Sequence, residues 1–227
     1  MAESNSEIDS LRTAIAELGL ACSEDQILQL DCYRRELLEW NKKINLTRHL
    51  TIEQFVDRDV RDTMMLNQFL EPRSRILDVG TGGGVPGILL SILRPDLQIS
   101  LSESVAKRAN VLEKIVARVG VSSRTIHARA EDILAAESFD VLTVRAVARL
   151  QKVLTWFSPH WSAIGQLLLV KGPAWAGERL EAREAGLLKD LELRRLARYS
   201  PANSGAECVV LRVRHPSSQT PRQCPTD

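Results

Sequence analysis

Apolar residues recur along this chain with two different spacings, and the change of spacing divides it. Ile8, Leu11, Ile15 and Leu18 fall three or four residues apart and predict a helix ending near Gly19. Ser23-Glu24-Asp25-Gln26 has the form of a capping box, and Ile27, Leu30, Leu37, Leu38 and Trp40 give the helix behind it an apolar stripe. Thr51-Ile52-Glu53-Gln54 repeats that start signal ahead of Phe55, Val56, Val60, Leu66, Phe69 and Leu70, and Pro72 closes the segment. From residue 73 onward short apolar runs alternate with helical stripes. Strands are expected over 76–79, 97–101, 124–128, 139–144, 166–170, 191–199 and 208–213. Helices are expected over 88–93, over 105–119 with Gly120 as its stop, over 150–157 and around Leu180.

That order predicts an α/β fold with a mostly parallel, doubly wound, Rossmann-like sheet. Residues 1–72 form an N-terminal helical lobe, 73–215 the α/β domain, and 216–227 a Pro/Ser/Gln-rich tail expected to be disordered. The strongest punctuation is Arg75-Ile76-Leu77-Asp78-Val79-Gly80-Thr81-Gly82-Gly83-Gly84-Val85-Pro86-Gly87. A buried strand is broken by glycines, and Pro86 suits the first turn of the following helix. Strand, glycine loop and helix together are how α/β proteins bring backbone N–H groups up to a nucleotide-like ligand.

Composition narrows the class without adding a site. Among 227 residues 44% are hydrophobic and 26% charged, the proportions of an ordinary globule. No run approaches the roughly 18 apolar residues of a membrane span, and the N-terminus has neither the basic nor the apolar part of a signal peptide. Cys22, Cys32, Cys208 and Cys224 are scattered, with no paired spacing and no histidine cluster, so reduced thiols in a cytoplasmic protein and no metal are expected. A net charge of +1 excludes a highly basic nucleic-acid coat but leaves room for a local basic face. Oligomeric state leaves no mark in the pattern, and a monomer is the expectation.

Polar residues gather where the predicted strands end: the glycine loop, Glu103, Ala130-Glu131, Arg145 and Lys171. That edge is where open α/β sheets bind ligands. Two cofactors suit the loop. Gly82-x-Gly84-x-x-Gly87, with Glu103 about twenty residues on, matches a dinucleotide fingerprint. Asp78-x-Gly80-x-Gly82-x-Gly84 matches an S-adenosyl-L-methionine site, where a carboxylate suits the cationic amino group of the methionine part, and this register is favoured. Glu103 would take ribose hydroxyls in either case, and Ala130-Glu131-Asp132 would lie against adenine. Trp40, Asn41, Lys42, Lys43, Asn45 and Arg48 place cations, amides and an aromatic ring within nine residues. They suit RNA contacts, although a helix C-terminus followed by a polar loop accounts for the same composition.

The segments Glu39-Trp40-Asn41-Lys42-Lys43-Ile44-Asn45-Leu46-Thr47, Asp78 to Gly87, Lys107-Arg108, Arg129-Ala130-Glu131, Arg145-Ala146-Val147-Ala148 and Lys171-Gly172 follow in order. Together they resemble the bacterial 16S ribosomal RNA guanine-N7 methyltransferases, the RsmG or glucose-inhibited division protein B family. The resemblance implies a class I methyltransferase fold and transfer of a methyl group from S-adenosyl-L-methionine to guanine N7 in the 530 loop of 16S rRNA, at the position usually numbered 527. It implies cofactor contacts at Gly80, Val85, Ala130, Glu131 and Arg145, and 16S rRNA or the 30S subunit as partner. Two positions depart from the family pattern on the substrate side. Asp59 stands where His is common, and Ala206-Glu207-Cys208-Val209 stands where a basic residue is usual.

Guanine N7 carries a free lone pair and needs no deprotonation, so alignment and charge management suffice. That agrees with a chain lacking a Ser-His-Asp set and assigns no acid or base. Arg145, then Lys171, are the candidates for positioning charge. The competing readings are a nicotinamide-dependent oxidoreductase, a small-molecule methyltransferase and a non-catalytic ribosome-assembly factor.

Overall fold

The computed structural model describes residues 2–202, 205–216 and 218; the tail expected to be disordered lies almost wholly outside them. Helix α1 (Ala2–Glu17) leads to α2 (Glu24–Asn41), whose capping box is formed: Ser23 Oγ accepts the Gln26 N–H and Gln26 Oε1 accepts the Ser23 N–H. Thr51 and Gln54 cap the next helix in the same way. The helix expected from Ile52 onward is not uniform. Short α3 (Ile52–Gln54) passes into a π-helical stretch, Phe55–Val60, and then α4 (Arg61–Asn67). Thr63 Oγ1 donates to the Asp59 carbonyl at 2.7 Å, a side-chain bond that competes with the regular backbone ladder there.

Seven strands follow, interleaved with helices: β1 (Arg75–Val79), α5 (Gly87–Leu93), β2 (Gln98–Ser102), α6 (Ala106–Val119), β3 (Arg124–Ile126), α7 (Ala130–Leu134) and β4 (Phe139–Arg145). Then come α8 (Leu150–Phe157), a 3-10 turn, β5 (Ile164–Lys171), α9 (Trp175–Glu184), β6 (Glu192–Tyr199) and β7 (Cys208–Arg214). The sheet order is β3-β2-β1-β4-β5-β7-β6. The five strands from β3 to β5 are parallel, and β7 and β6 close the sheet as an antiparallel pair. The chain winds outward from β1 to β3 and then returns to β4, so a crevice opens at the carboxyl ends of β1 and β4.

Gly120 ends α6 in the left-handed region at φ 73°, as its position implied. Strand β3 is shorter than expected, and α7 was not expected at all. Ser102 Oγ donates to the Ala128 carbonyl, and the Ala128 N–H turns back on Ile126, so the chain leaves the sheet early and coils.

Alternate residues of the buried strands serve two apolar layers. Leu77, Val79, Leu142, Val144, Leu167 and Leu169 pack with α8 through Leu150, Leu154 and Phe157. Ile76, Ile99, Leu101, Val141 and Leu168 share the other layer with Leu11, Ile15, Leu30, Leu37, Phe55 and Leu66. The stripes of the N-terminal helices are thus buried in the same cluster as one face of the sheet. The helices are thereby held over the strand ends that matter. Among the described residues no helix is long and apolar enough to cross a membrane.

Candidate functional site

The glycine loop is shaped from beneath by Asp78. This residue ends up 1% exposed, and its carboxylate is turned into the loop. Oδ2 accepts Thr81 Oγ1 at 2.5 Å and the Gly87 N–H at 2.9 Å, while Oδ1 accepts Thr143 Oγ1 at 2.9 Å. Burial pushes its pKa up to about 6 against the opposing pull of those three donors. Its observed work is to brace the loop. Around it, Gly84 and Gly87 are packing positions: a Cβ would meet Ile88 Cδ1 at 2.5 Å in the first case and Leu101 Cδ2 at 2.2 Å in the second. Gly82 differs, having φ 59° and nothing nearer to a Cβ than the Gly80 carbonyl at 3.9 Å. The backbone is bare there, and space lies over it.

From above, α2 holds the loop. Tyr33, fully buried, donates its hydroxyl to the Gly83 carbonyl at 2.9 Å, and Leu37 Cδ1 would lie 3.0 Å from a Cβ at Gly83. Val85 is buried beside them. At the end of β2, Glu103 is 4% exposed and accepts the Val105 N–H at 2.8 Å. Ala130, buried, and Glu131, half-buried, begin α7 at the end of β3. Gly80, Gly82, Glu103 and Ala130-Glu131 therefore stand at the carboxyl ends of three adjacent parallel strands.

Arg145 ends β4 in a cluster that its own neighbourhood in sequence did not announce. Its Nε donates to Asp62 Oδ2 at 2.6 Å and its Nη2 to Asp59 Oδ1 at 2.7 Å. Both carboxylates are buried and come from the π-helical stretch and α4. His49 Nδ1 lies 2.9 Å from Asp59 Oδ1, so the acid that departs from the family pattern has a histidine beside it after all, supplied by the preceding loop. Tyr199 on β6 donates to Asp62 Oδ1 at 2.6 Å. Burial is the largest single influence on Arg145 and opposes its charge, but the charges and hydrogen bonds of the two carboxylates together outweigh it, raise the pKa and hold the guanidinium firmly charged. Arg145 Nη1 makes no hydrogen bond with the described residues.

Lys171 is committed elsewhere. Its Nζ donates to the Ala148 carbonyl at 2.6 Å and pairs with Glu178 at 2.8 Å, tying the segment after β4 to α9. In the Trp40 to Arg48 segment the roles divide as well. Asn41 Oδ1 accepts the N–H groups of Leu46 and Thr47, so Asn41 shapes the loop. Lys42 pairs with Glu39. The Trp40 ring is half-buried between Lys43 Nζ at 4.9 Å and Lys114 Nζ at 5.0 Å. Lys43, Asn45 and Arg48 are exposed, Arg108 Nη2 reaches the Asn45 carbonyl at 3.5 Å, and Lys107 is exposed one position earlier on α6. Loop and helix thus make one basic face beside the glycine loop, whose Gly83 abuts the Leu46 carbonyl. Glu207, in the other departing segment, pairs with Arg198.

Tyr33, His49 and Tyr199 carry no motif, and nothing in the sequence pattern assigned them to the site, whereas Asp62-Thr63 stands at the family's Asp-Ser pair. A tyrosine in an otherwise aliphatic stripe and acids inside an apolar run were the available signals.

Comparison with known proteins bears on the family and the fold. A family model described as rRNA small subunit methyltransferase G matches residues 26–200. A protein of Rhodopirellula baltica named ribosomal RNA small subunit methyltransferase G is 46% identical over 188 residues, 83% of this chain and 81% of that one. Among solved structures, a methyltransferase from Pyrococcus furiosus superposes with a TM-score of 0.55 at 12% identity, covering 80% of this chain and 98% of that one. A mutant of MtNAS in complex with S-adenosylmethionine superposes with a TM-score of 0.53 at 17% identity, covering 93% and 79%. At such identities these two structures speak for the fold alone.

Proposed function

The chain belongs to the rRNA small subunit methyltransferase G family, and from that premise we propose that it transfers the methyl group of S-adenosyl-L-methionine to N7 of guanine 527 in the 530 loop of 16S rRNA. The observation that carries this reading is the family match over residues 26–200, which takes in Tyr33, the basic loop, the glycine loop and Arg145.

The residues at the strand ends fit the cofactor. The bare backbone at Gly82 offers the floor, with Gly80, packed against Val147, and with Gly84 and Val85 completing its turn. Glu103 is placed to take ribose hydroxyls, and Ala130-Glu131 to border the adenine. Asp78 keeps the floor in shape from inside. When bound, S-adenosyl-L-methionine supplies an electrophilic sulfonium methyl group. The protein holds the acceptor in line and manages charge, since the N7 lone pair needs no base. Arg145, at the carboxyl end of β4 with Nη1 unused, is the charge-positioning group in this reading, and Lys171 supports the segment that follows it. The dinucleotide alternative is disfavoured by Gly84, which would have to admit a pyrophosphate but faces Ile88 and Leu112.

N7 lies on the major-groove edge, which A-form RNA buries, so the acceptor is a loop base presented outside a helix. Trp40, Lys42, Lys43, Asn45 and Arg48, organised by Asn41 and joined by Lys107, Arg108 and Lys114 of α6, form the RNA-facing surface. With a net charge of only +1, binding relies on this one face. In this reading the enzyme acts as a monomer in the cytoplasm, on 16S rRNA or the 30S subunit. The test is methylation by purified protein with labelled cofactor and RNA carrying the 530 loop. N7-methylguanine at that site supports the assignment, whereas no transfer to either naked or subunit-bound RNA refutes it.

A further inference from the structure

We propose that Tyr199, on the antiparallel strand pair at the edge of the sheet, is a positioning residue for Arg145. The two carboxylates that hold Arg145 are not equivalent. Asp59 receives both His49 and Arg145 on Oδ1, and its buried Oδ2 has no partner among the described residues. One atom therefore carries both contacts, and rotation about it is unopposed by any hydrogen bond. Asp62 has each oxygen engaged: Oδ2 by Arg145 Nε and Oδ1 by the Tyr199 hydroxyl, both at 2.6 Å. The plane of the Asp62 carboxylate is thus set by Tyr199. It orients the Nε edge of the guanidinium and, through that rigid fork, the unused Nη1.

The placement of Tyr199 is itself well determined. It pairs with Cys208 in the β6–β7 register, and its ring packs against the apolar layer that holds the N-terminal helices. Burial and the neighbouring Asp62 hold its hydroxyl protonated far above neutral pH, so it remains a donor throughout the working range. Residues 137 positions apart meet in this contact, which ties the last hairpin to the helices that cover the site.

This inference rests on the reading that Arg145 serves methyl transfer, and the experiment separates the two. Tyr199→Phe removes one oxygen and leaves the ring. Methyl transfer to RNA carrying the 530 loop is measured for the wild type, Tyr199→Phe, Asp62→Asn, the double variant and Arg145→Lys. Rates are normalised to cofactor-binding sites titrated by calorimetry, so that loss of folded protein cannot imitate loss of rate. Tyr199→Phe is expected to lower kcat about tenfold, the scale of one hydrogen bond to a charged group. Its KM for RNA and its affinity for S-adenosyl-L-methionine should stay within about twofold of wild type. The double variant should fall no further than Asp62→Asn alone, because the two act in series. A normal kcat in Tyr199→Phe beside a crippled Arg145→Lys overturns the role of Tyr199 and leaves that of Arg145 standing. Full activity in Arg145→Lys overturns both.

Discussion

Asp78 and Arg145 sit on adjacent strands at the same edge, yet they are held in opposite ways. Asp78 is a lone buried acid satisfied by neutral donors, two of them within nine residues on its own loop. Arg145 is a buried cation held by two acids 83 and 86 positions earlier, one of which is fixed by a tyrosine from the far end of the chain. The first arrangement is local and moulds backbone, suiting the floor of a pocket. The second gathers distant elements around one side chain, suiting a group whose orientation must be set. A carboxylate bonded only to neutral groups also stays close to titration, whereas a guanidinium between two acids does not.

The largest effect that would sharpen this contrast is expected from Arg145→Ala. It leaves Asp59 and Asp62 buried without their cation, and unfolding in urea should show a loss of about 3–5 kcal/mol. A loss under about 1 kcal/mol would mean the cluster is not held as described. Gly87→Ala attacks the local plan, because its Cβ would lie 2.2 Å from Leu101 Cδ2 and 2.8 Å from Asp78 Oδ2. Overpacking of that kind costs about 1–3 kcal/mol, and calorimetry should show weakened cofactor binding in step.

The titration of Asp78 gives a comparable effect. Its folded pKa of about 6 lies above the unfolded value of about 3.9. Proton binding therefore favours the folded state: the contribution is fully present below about pH 4 and is lost as pH rises through about 6. Between those limits the wild type should lose about 2–3 kcal/mol relative to Asp78→Asn, read from urea unfolding at several pH values. A flat difference would show the carboxylate to be less desolvated than its surroundings imply.

Tyr33→Phe, which deletes the bond to the Gly83 carbonyl, should cost about 1 kcal/mol and loosen cofactor binding a few-fold in the same calorimetric titration. Smallest is Lys114→Ala on the basic face. RNA binding should weaken, with a salt slope shallower by about 1, while cofactor affinity is unchanged.

The difference between the two plans also explains what could be read from the chain alone. Ser23 with Gln26, Thr51 with Gln54, and Gly120 form their motifs within a few residues, and all three did what their spacing implied. The strands announced themselves because burial on both faces demands unbroken apolar runs such as Leu167-Leu168-Leu169-Val170. The glycine loop was legible for the same reason of contiguity. Asp78 nevertheless turned inward, a choice decided by Thr143 across the sheet. Lys171 and Asn41 looked like free polar ends, but Glu178 with Ala148 in one case, and a tight loop in the other, engage them. The partners of Arg145 were hidden because nothing in a sequence records which strand lies beside which helix. Even the boundary at Pro72 marks a change of spacing, whereas the apolar layer runs across it.

Tyr199 belongs to the second-to-last strand, and its neighbour β7 ends at Arg214. A chain made from its N-terminus therefore carries the glycine loop, the basic face and the parallel strands before the residue that completes the setting of Arg145. A domain generally folds as a unit, so Arg145 gains its full setting only once the last hairpin has joined the sheet.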